Sequence, residues 1–230
     1  MNPKVSLILK HLPYILHSVY FNFHYLPVYQ AWKLPILLYK PKFLSMKGNV
    51  IIDSHKIKTG MIQLGRNMVS SYPNTGIKWE NEGTVIFKGR ILIGNNSTIT
   101  IGKQGTFLIG NNVTATTSLR IACFNKINIG NHTLIGWDCT IMDTDFHQFM
   151  DTRGKLLPSY GPIIIGEHNW LSMKCIVLKN TVTPNHSYWG ACSILNKSYS
   201  QNPEYCLYAG NPVEIKKQGI QLNNNPIQYE

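Results

Sequence analysis

The chain has 230 residues, 43% of them apolar and only 14% charged. That length supports one sizeable core or two small ones and excludes a disulfide-stapled miniprotein; the apolar share excludes disorder, and the scarcity of charge excludes a coiled coil. Lys and Arg number 22 against 11 Asp and Glu, a net charge of +11 that points to anionic partners: nucleic acid, acidic lipid or a phosphate-bearing ligand.

Residues 1–45 differ from everything that follows. They are rich in Tyr, Phe, Leu and Pro, with lysines at 4, 10, 33, 40 and 42. Lys10, His17, His24, Lys33 and three prolines interrupt every apolar run, so no segment reaches the ~20 consecutive apolar residues of a spanning helix. The composition predicts short helical pieces, either lying on an anionic membrane surface or packing as a cap on the next domain. Only Val5 to Leu9 separate Lys4 from Lys10 and His11, too short a core for a signal peptide, and the protein is expected to be cytoplasmic. Cys123, Cys139, Cys175, Cys192 and Cys206 form no C-x-x-C pair and are odd in number, which fits free thiols better than a disulfide frame or a zinc site.

From Gly48 onward, short β-branched runs alternate with Gly and Asn, and Ile-Gly recurs at 93, 101, 109, 129, 135 and 165. The period is six. Ile129, Ile135, Ile141, Ile165, Leu171, Val177, Thr183, Trp189 and Leu195 share one phase, and eight of the nine are apolar where about four are expected by chance. A small side chain follows four residues later at Thr133, Cys139, Cys175, Thr181, Ser187 and Ser193. Large then small inside predicts a tightly wound coil of short strands with Gly and Asn at its corners. Between 93 and 129 the phase slips by two residues more than once, so those coils carry insertions or a bulge.

Three stretches carry a family resemblance: Ile129 through Ile141-Met142-Asp143-Thr144-Asp145-Phe146-His147, Ile165-Gly166-Glu167-His168-Asn169-Trp170 through Gly190-Ala191-Cys192-Ser193, and Ala209-Gly210-Asn211-Pro212. Over roughly residues 48–217 the chain resembles the hexapeptide-repeat acyltransferases, and within them the sugar O-acetyltransferases of bacterial polysaccharide biosynthesis. The resemblance implies a mainly β fold, a left-handed parallel β-helix, although the usual right-handed crossover preference would predict the opposite hand. The expected layout is an aromatic and basic segment at 1–45, the β-helix at 46–200 with an excursion at 148–162, and a closing turn and tail at 201–230.

His132, His168 and His186 each lie three residues after a phase position, at equivalent coil corners, and share a structural explanation. His147 lies where the repeat breaks and has none, so it is the candidate catalytic base. If residues 143–147 run extended, Asp143, Asp145 and His147 project to one side, giving carboxylates that orient the imidazole or bind an acceptor; turn capping is the alternative. The resemblance implies acetyl-CoA as donor, direct transfer to a sugar hydroxyl, a homotrimer and no metal. Carried over residue by residue, it assigns Gly190, Ala191, Asn196 and Lys197 to the donor, Lys216 or Lys217 to its phosphates, Trp170 to the subunit groove and Met173 to the thioester channel. Departures occur at Ser172, Asn180 and Thr183-Pro184, where the family pattern has Gly or Ile-Gly. The Gln148–Pro162 excursion is expected to reach a neighbouring subunit's site and to choose the acceptor. Rival readings are an N-acyltransferase of an amino sugar nucleotide, a zinc hydratase needing three converging histidines, and a non-catalytic scaffold tethered to a membrane. No nucleic-acid module is recognisable.

Overall fold

The computed structural model describes the backbone of residues 3–223 and the side chains of residues 14–223. The side chains of Lys4 and Lys10, and residues 224–230 of the expected tail, lie outside that range. Three sheets wind around one core. Sheet A takes Ile36–Leu38, Ile62–Arg66, Ile91–Gly94, Val113–Ala115, Leu134–Ile135, Trp170–Leu171, Ser187–Trp189, Cys206–Ala209 and Glu214–Gln218. Sheet B takes Pro41–Met46, Ile77–Asn81, Ser97–Ile101, Arg120–Cys123, Thr140–Met142, Ile176–Leu178 and Ile194–Leu195; sheet C takes Asn49–Ile52, Thr84–Phe87, Thr106–Ile109, Lys126–Ile129 and Ile163–Ile165. Each strand pairs with strands of its own sheet in the coils before and after, always in parallel, until Glu214–Gln218 turns back antiparallel on Cys206–Ala209. That order is a three-sided β-helix.

The period of six is one side of the prism. All nine residues of the expected phase are buried: Ile129 and Ile165 pair in sheet C, Ile135, Leu171 and Trp189 in sheet A, Ile141, Val177 and Leu195 in sheet B, with Thr183 at the C side of the next coil. The small row from Thr133 to Ser193 is buried beside it. The slips between 93 and 129 are longer coils: Ile93 pairs with Ala115 and Ile99 with Ile121, a register of 22 residues, whereas Ile109 pairs with Ile129 at 20. The extra residues sit at corners, where they leave the inner rows intact. The A–B corners and most C–A corners place a residue in the left-handed backbone region, and here Asn, His and Asp supply it more often than Gly. Asn180, standing where the family pattern has Gly, has φ 65°.

The N-terminal segment departs from expectation in two ways. It forms one long helix, α1 (Pro3–Tyr25), that continues through Pro13, followed by the short α2 (Val28–Ala31). The coil also begins at Ile36 rather than 46, since Ile36–Leu38 and Pro41–Met46 already pair into sheets A and B. What holds α1 is its stripe of Ser18, Phe21, Asn22 and Tyr25, spaced to fall on one helical face. Phe21 is buried against Trp79 and Phe43, and the Trp79 indole N–H donates to the Tyr25 hydroxyl at 3.1 Å. The Asn22 amide donates to Ile36 O at 2.7 Å while its Oδ1 accepts from Ile36 N at 3.1 Å, and Ser18 Oγ accepts from Leu38 N at 3.0 Å. These bonds satisfy the open edge of the first strand of sheet A, so α1 is a cap. No helix is long and apolar enough to cross a membrane among the described residues.

Replacing Asn22 by Ala leaves two buried groups of Ile36 without partners, and is expected to lower unfolding free energy by about 2 kcal/mol. Denaturant titration measures the loss; a wild-type midpoint contradicts the capping role.

Candidate active site

The three corners of the prism divide the candidate residues. The corner from sheet C to sheet A carries Asn112, His132, His168, His186 and Tyr205, all at φ between 48° and 58°. Their repetition in register stacks the rings: His132 on His168 and His168 on His186, each 4.6 Å apart and within 6° of parallel, then His186 on Tyr205 at 4.6 Å. Burial in the stack lowers the His168 pKa, and the neighbouring His132 and His186 lower it further against a smaller opposing effect of Glu167. A groove of about 260 Å³ runs along this ladder beneath Gln221 and Leu222. Parallel rings face one another with their planes, not with converging nitrogens. No group of three or more His, Cys, Asp or Glu side chains that could hold a metal occurs among the described residues.

His147 stands apart from that ladder. It lies on the chain that leaves sheet B after Met142 and returns at Ile163, and its imidazole is exposed. The excursion is not a coil of the prism: Thr144 bridges Tyr160, Met150 bridges Leu156, and Leu157 N donates to Phe149 O, so it is a narrow antiparallel arm. Asp151 makes its tip, with Oδ1 accepting from the amides of Arg153 and Lys155 at 2.9 Å each. The base of the arm is fixed from three sides. Asp143, fully buried, accepts from the amides of Phe124 and Asn125 in the preceding coil at 2.7 and 2.9 Å. Asp145 pairs with Lys179 at 2.5 Å, and Lys179 also donates to Pro158 O on the returning leg. Phe146, in the left-handed region at φ 58°, lays its ring edge-on to Phe124 at 5.0 Å.

Neither carboxylate touches the imidazole. The one-sided projection expected of Asp143, Asp145 and His147 fails because the strand ends at Met142 and the alternation ends with it. His147 is instead set by its Nδ1, 3.3 Å from Asp145 O. A carbonyl can only accept, so that bond places the proton on Nδ1 and leaves the lone pair on Nε2, the free side of the ring.

The residues assigned to the donor fall on two different edges of one chain. Met173, Gly190 and Ala191 lie on the corner from sheet A to sheet B, in register through the Cys192 N to Met173 O bond. Asn196 and Lys197 lie on the corner from sheet B to sheet C, the same edge from which the His147 arm departs, with the Lys197 ammonium 5.7 Å over the Tyr199 ring. Trp170 is half-buried on the outer face of sheet A between Leu134 and Tyr188. Lys216 is held by Glu214 at 2.8 Å, whereas Lys217 stands opposite Leu207 on the closing strand. One feature of the A–B edge escaped the repeat analysis: Tyr72, from the long connection before Ile77–Asn81, bonds Asp138 at 2.5 Å and meets the Trp137 ring at 5.7 Å. The bond to the Asp138 carboxylate holds the Tyr72 hydroxyl above its ordinary pKa. Its only trace in the sequence is the crowding of acids around Asp138.

The thiols are spent inside the coil. Cys123, Cys139, Cys175 and Cys206 are buried and only Cys192 is exposed. Burial pushes the Cys123 thiol up, and hydrogen bonding with Cys175 does the same to Cys139.

No protein-family model and no curated protein matches the chain. Among solved structures, the polySia specific acetyltransferase NeuO aligns with 81% of this chain and 90% of its own at 18% identity, with a TM-score of 0.54. The fold is that of NeuO. It is a left-handed parallel β-helix, mainly β, preceded by a helix. The polysialic acid O-acetyltransferase OatWY aligns at 21% identity over 83% of this chain and 94% of its own, with a TM-score of 0.39. A hexapeptide-repeat acetyltransferase from Vibrio cholerae O1 biovar eltor, complexed with acetyl coenzyme A, aligns at 14% identity over 94% and 90%, also at 0.39.

Two outcomes separate framework from site. Asp143→Asn turns an amide toward two backbone N–H groups and is expected to lower the melting temperature; an unchanged melting temperature contradicts the framework role. Because His168 resists protonation in the fold, its contribution to stability is complete above the ordinary histidine pKa of about 6.5 and is lost as pH falls below it. The melting temperature should therefore fall between pH 8 and pH 5, and His168→Asn, which keeps a residue suited to the corner, should narrow that gap. An equal gap in the variant contradicts the assignment.

Proposed function

We propose that the chain is an acetyl-CoA-dependent acyltransferase that moves an acetyl group to a sugar hydroxyl in surface polysaccharide or glycolipid biosynthesis, with His147 as general base. The observation that carries this reading is the exposed His147 imidazole, its Nε2 free, on the one long arm interrupting a β-helix of the NeuO fold. A hydroxyl attacks poorly until its proton leaves, and Nε2 accepts that proton as the oxygen forms its bond to the thioester carbonyl. The tetrahedral oxyanion needs donors, and backbone N–H groups at the coil corners supply them. Collapse breaks the C–S bond, and the imidazolium returns the proton to the departing thiolate, so no covalent enzyme intermediate forms. Asp143 and Asp145 act as positioning residues through the arm's base.

The site is completed by a second copy in a homotrimer. Two outer faces of the prism are mainly apolar: Leu92, Leu134, Trp170 and Leu207 on sheet A, interrupted by Thr114, and Ile51, Ile86, Leu108 and Ile164 on sheet C, interrupted by Asn128. Sheet B instead exposes Lys42, Lys78 and Arg120. Faces A and C meet at the histidine ladder. With that corner turned to a threefold axis, face C of one copy looks across a cleft at face A of the next, and the rims of the cleft are one copy's B–C edge and its neighbour's A–B edge. His147, Asn196 and Lys197 then stand opposite the neighbour's Met173, Gly190 and Ala191, so the donor groups that one chain separates are brought together. Lys197 and Lys217 serve the phosphates, and the apolar arm residues Phe149, Met150 and Leu156 cover the neighbour's rim.

His147→Ala and His147→Asn are expected to lower acetyl transfer by about 10²–10⁴-fold while leaving the trimer and CoA binding intact; near-normal turnover in either overturns the reading. Assays with paired hydroxyl and amine acceptors decide between O- and N-transfer. In co-expressed mixtures, His147→Ala and Ala191→Trp, each inactive alone, should together recover roughly a quarter of wild-type activity, because statistically mixed trimers contain some clefts with both rims intact. No recovery contradicts a site shared between copies.

A further inference from the structure

Capping the coil uses only one face of α1. The opposite face carries Leu16, Tyr20 and Phe23 in the same helical spacing, and Leu16 is 77% exposed. Phe23 meets Trp32 edge-on at 5.3 Å, which joins this stripe to α2 and the residues after it, where Tyr29 and Trp32 are 70% and 73% exposed and Val28 is exposed as well. The result is one continuous apolar and aromatic surface at the N-terminal end of the prism, outside the catalytic cleft and facing away from the coils.

The charge around it has one sign. The first 52 residues contain six lysines and no Asp or Glu, so more than half of the net +11 resides in less than a quarter of the chain. Lys33 follows Trp32 directly, and Lys42 precedes Phe43, whose ring lies against Tyr20 and Phe21. Both lysines are exposed. Neither α1 nor α2 has an acidic residue in its first turn. A docking surface for another copy of this chain would place like charges together, whereas an anionic lipid surface complements them. Trp and Tyr are the side chains that settle at a bilayer interface, with an apolar body and a polar edge.

We propose that the outer face of α1, α2 and the Trp32–Lys33 turn docks on an anionic bilayer surface, with Leu16, Phe23, Tyr29 and Trp32 entering the headgroup region and Lys33 and Lys42 facing acidic lipid. The helix lies along the surface and does not cross it. This places the protein where a lipid-borne acceptor would be met, but the contact stands on the helix alone and is tested without any transfer assay.

The full chain is mixed with vesicles of phosphatidylcholine, or of equimolar phosphatidylcholine and phosphatidylglycerol, and bound protein is measured by co-sedimentation. Binding to the mixed vesicles is expected to exceed that to neutral ones by on the order of tenfold or more, and to fall sharply at about 0.5 M salt. The double variant Tyr29→Ser/Trp32→Ser should lose it, as should Lys33→Gln/Lys42→Gln, with circular dichroism unchanged because all four side chains are exposed. Equal binding to both vesicles, none to either, or wild-type binding by both double variants overturns the proposal. So does concentration-dependent self-association in analytical ultracentrifugation that Tyr29→Ser/Trp32→Ser abolishes, since the patch would then be an interface between copies.

Discussion

Everything in this molecule depends on coils stacking in register. A strand in a β-helix finds its hydrogen-bond partners only in the coils before and after, so inward positions must line up through the whole stack or the ladders and the core fail together. The row Leu64, Ile93, Ala115, Ile135, Leu171, Trp189 and Tyr208 in sheet A shows how strict this is: side-chain volume varies widely along it, yet each member pairs with the next, and the single bulge, between Leu64 and Arg66, falls beside the row and leaves it intact. A slip of one would turn every inward side chain outward. Extra residues are therefore admitted mainly at corners, where the chain already bends away from the core; within the parallel strands they are single-residue bulges, between Phe43 and Ser45 and between Leu64 and Arg66. The His147 arm is the largest such admission. It is rooted by the buried Asp143 at the B–C corner, so the most exposed excursion of the coil is fastened to one of its least exposed residues.

A stack has two ends, and each end leaves a sheet edge that would pair with another chain. The two are closed by different means. At the C-terminal end Glu214–Gln218 folds back antiparallel on Cys206–Ala209, which ends the parallel order of sheet A in an outward, charged strand. At the N-terminal end, side chains do the work, because a helix has no backbone groups to spare: Asn22 offers both a donor and an acceptor to Ile36, matching what a neighbouring strand would have supplied. Apolar packing of Phe21 on Trp79 adds the area that hydrogen bonds alone would not provide.

The inner rows were legible in the sequence because they obey one period, and the corners because Gly and Asn mark them. The hexapeptide phase from Ile129 to Leu195 was read position by position. What the sequence concealed is whatever breaks the period. Ile36-Leu37-Leu38 belongs to the first coil, but it follows a Pro and precedes no Gly or Asn, so nothing distinguishes it from the aromatic segment before it. Asp143 and Asp145 are spaced as an extended strand would space them, yet strand geometry had ended one residue earlier, and the carboxylates went to backbone amides and to Lys179. Tyr72 reaches Asp138 across 66 residues from a connection without any repeat, and such a contact has no local signal. The place of His147 outside the ladder was legible for the opposite reason, since it shares no phase with His132, His168 and His186.

The histidine ladder and His147 illustrate how one residue type takes two positions under one geometry. At the C–A corner the backbone takes a left-handed residue in each coil from Asn112 to Tyr205, and His is among the side chains that accept it; stacking then follows from the coil spacing, since rings at equivalent positions in adjacent strands lie about 4.8 Å apart. His168 has both faces occupied by its neighbours, and a proton added to it is opposed by His132 and His186. His147 has neither restraint. Its ring is held at one nitrogen by a carbonyl of its own arm and is open at the other, away from the coil. The fold separates His168, whose protonation the ladder opposes, from His147, the proposed base, by placing the first in register and the second outside it.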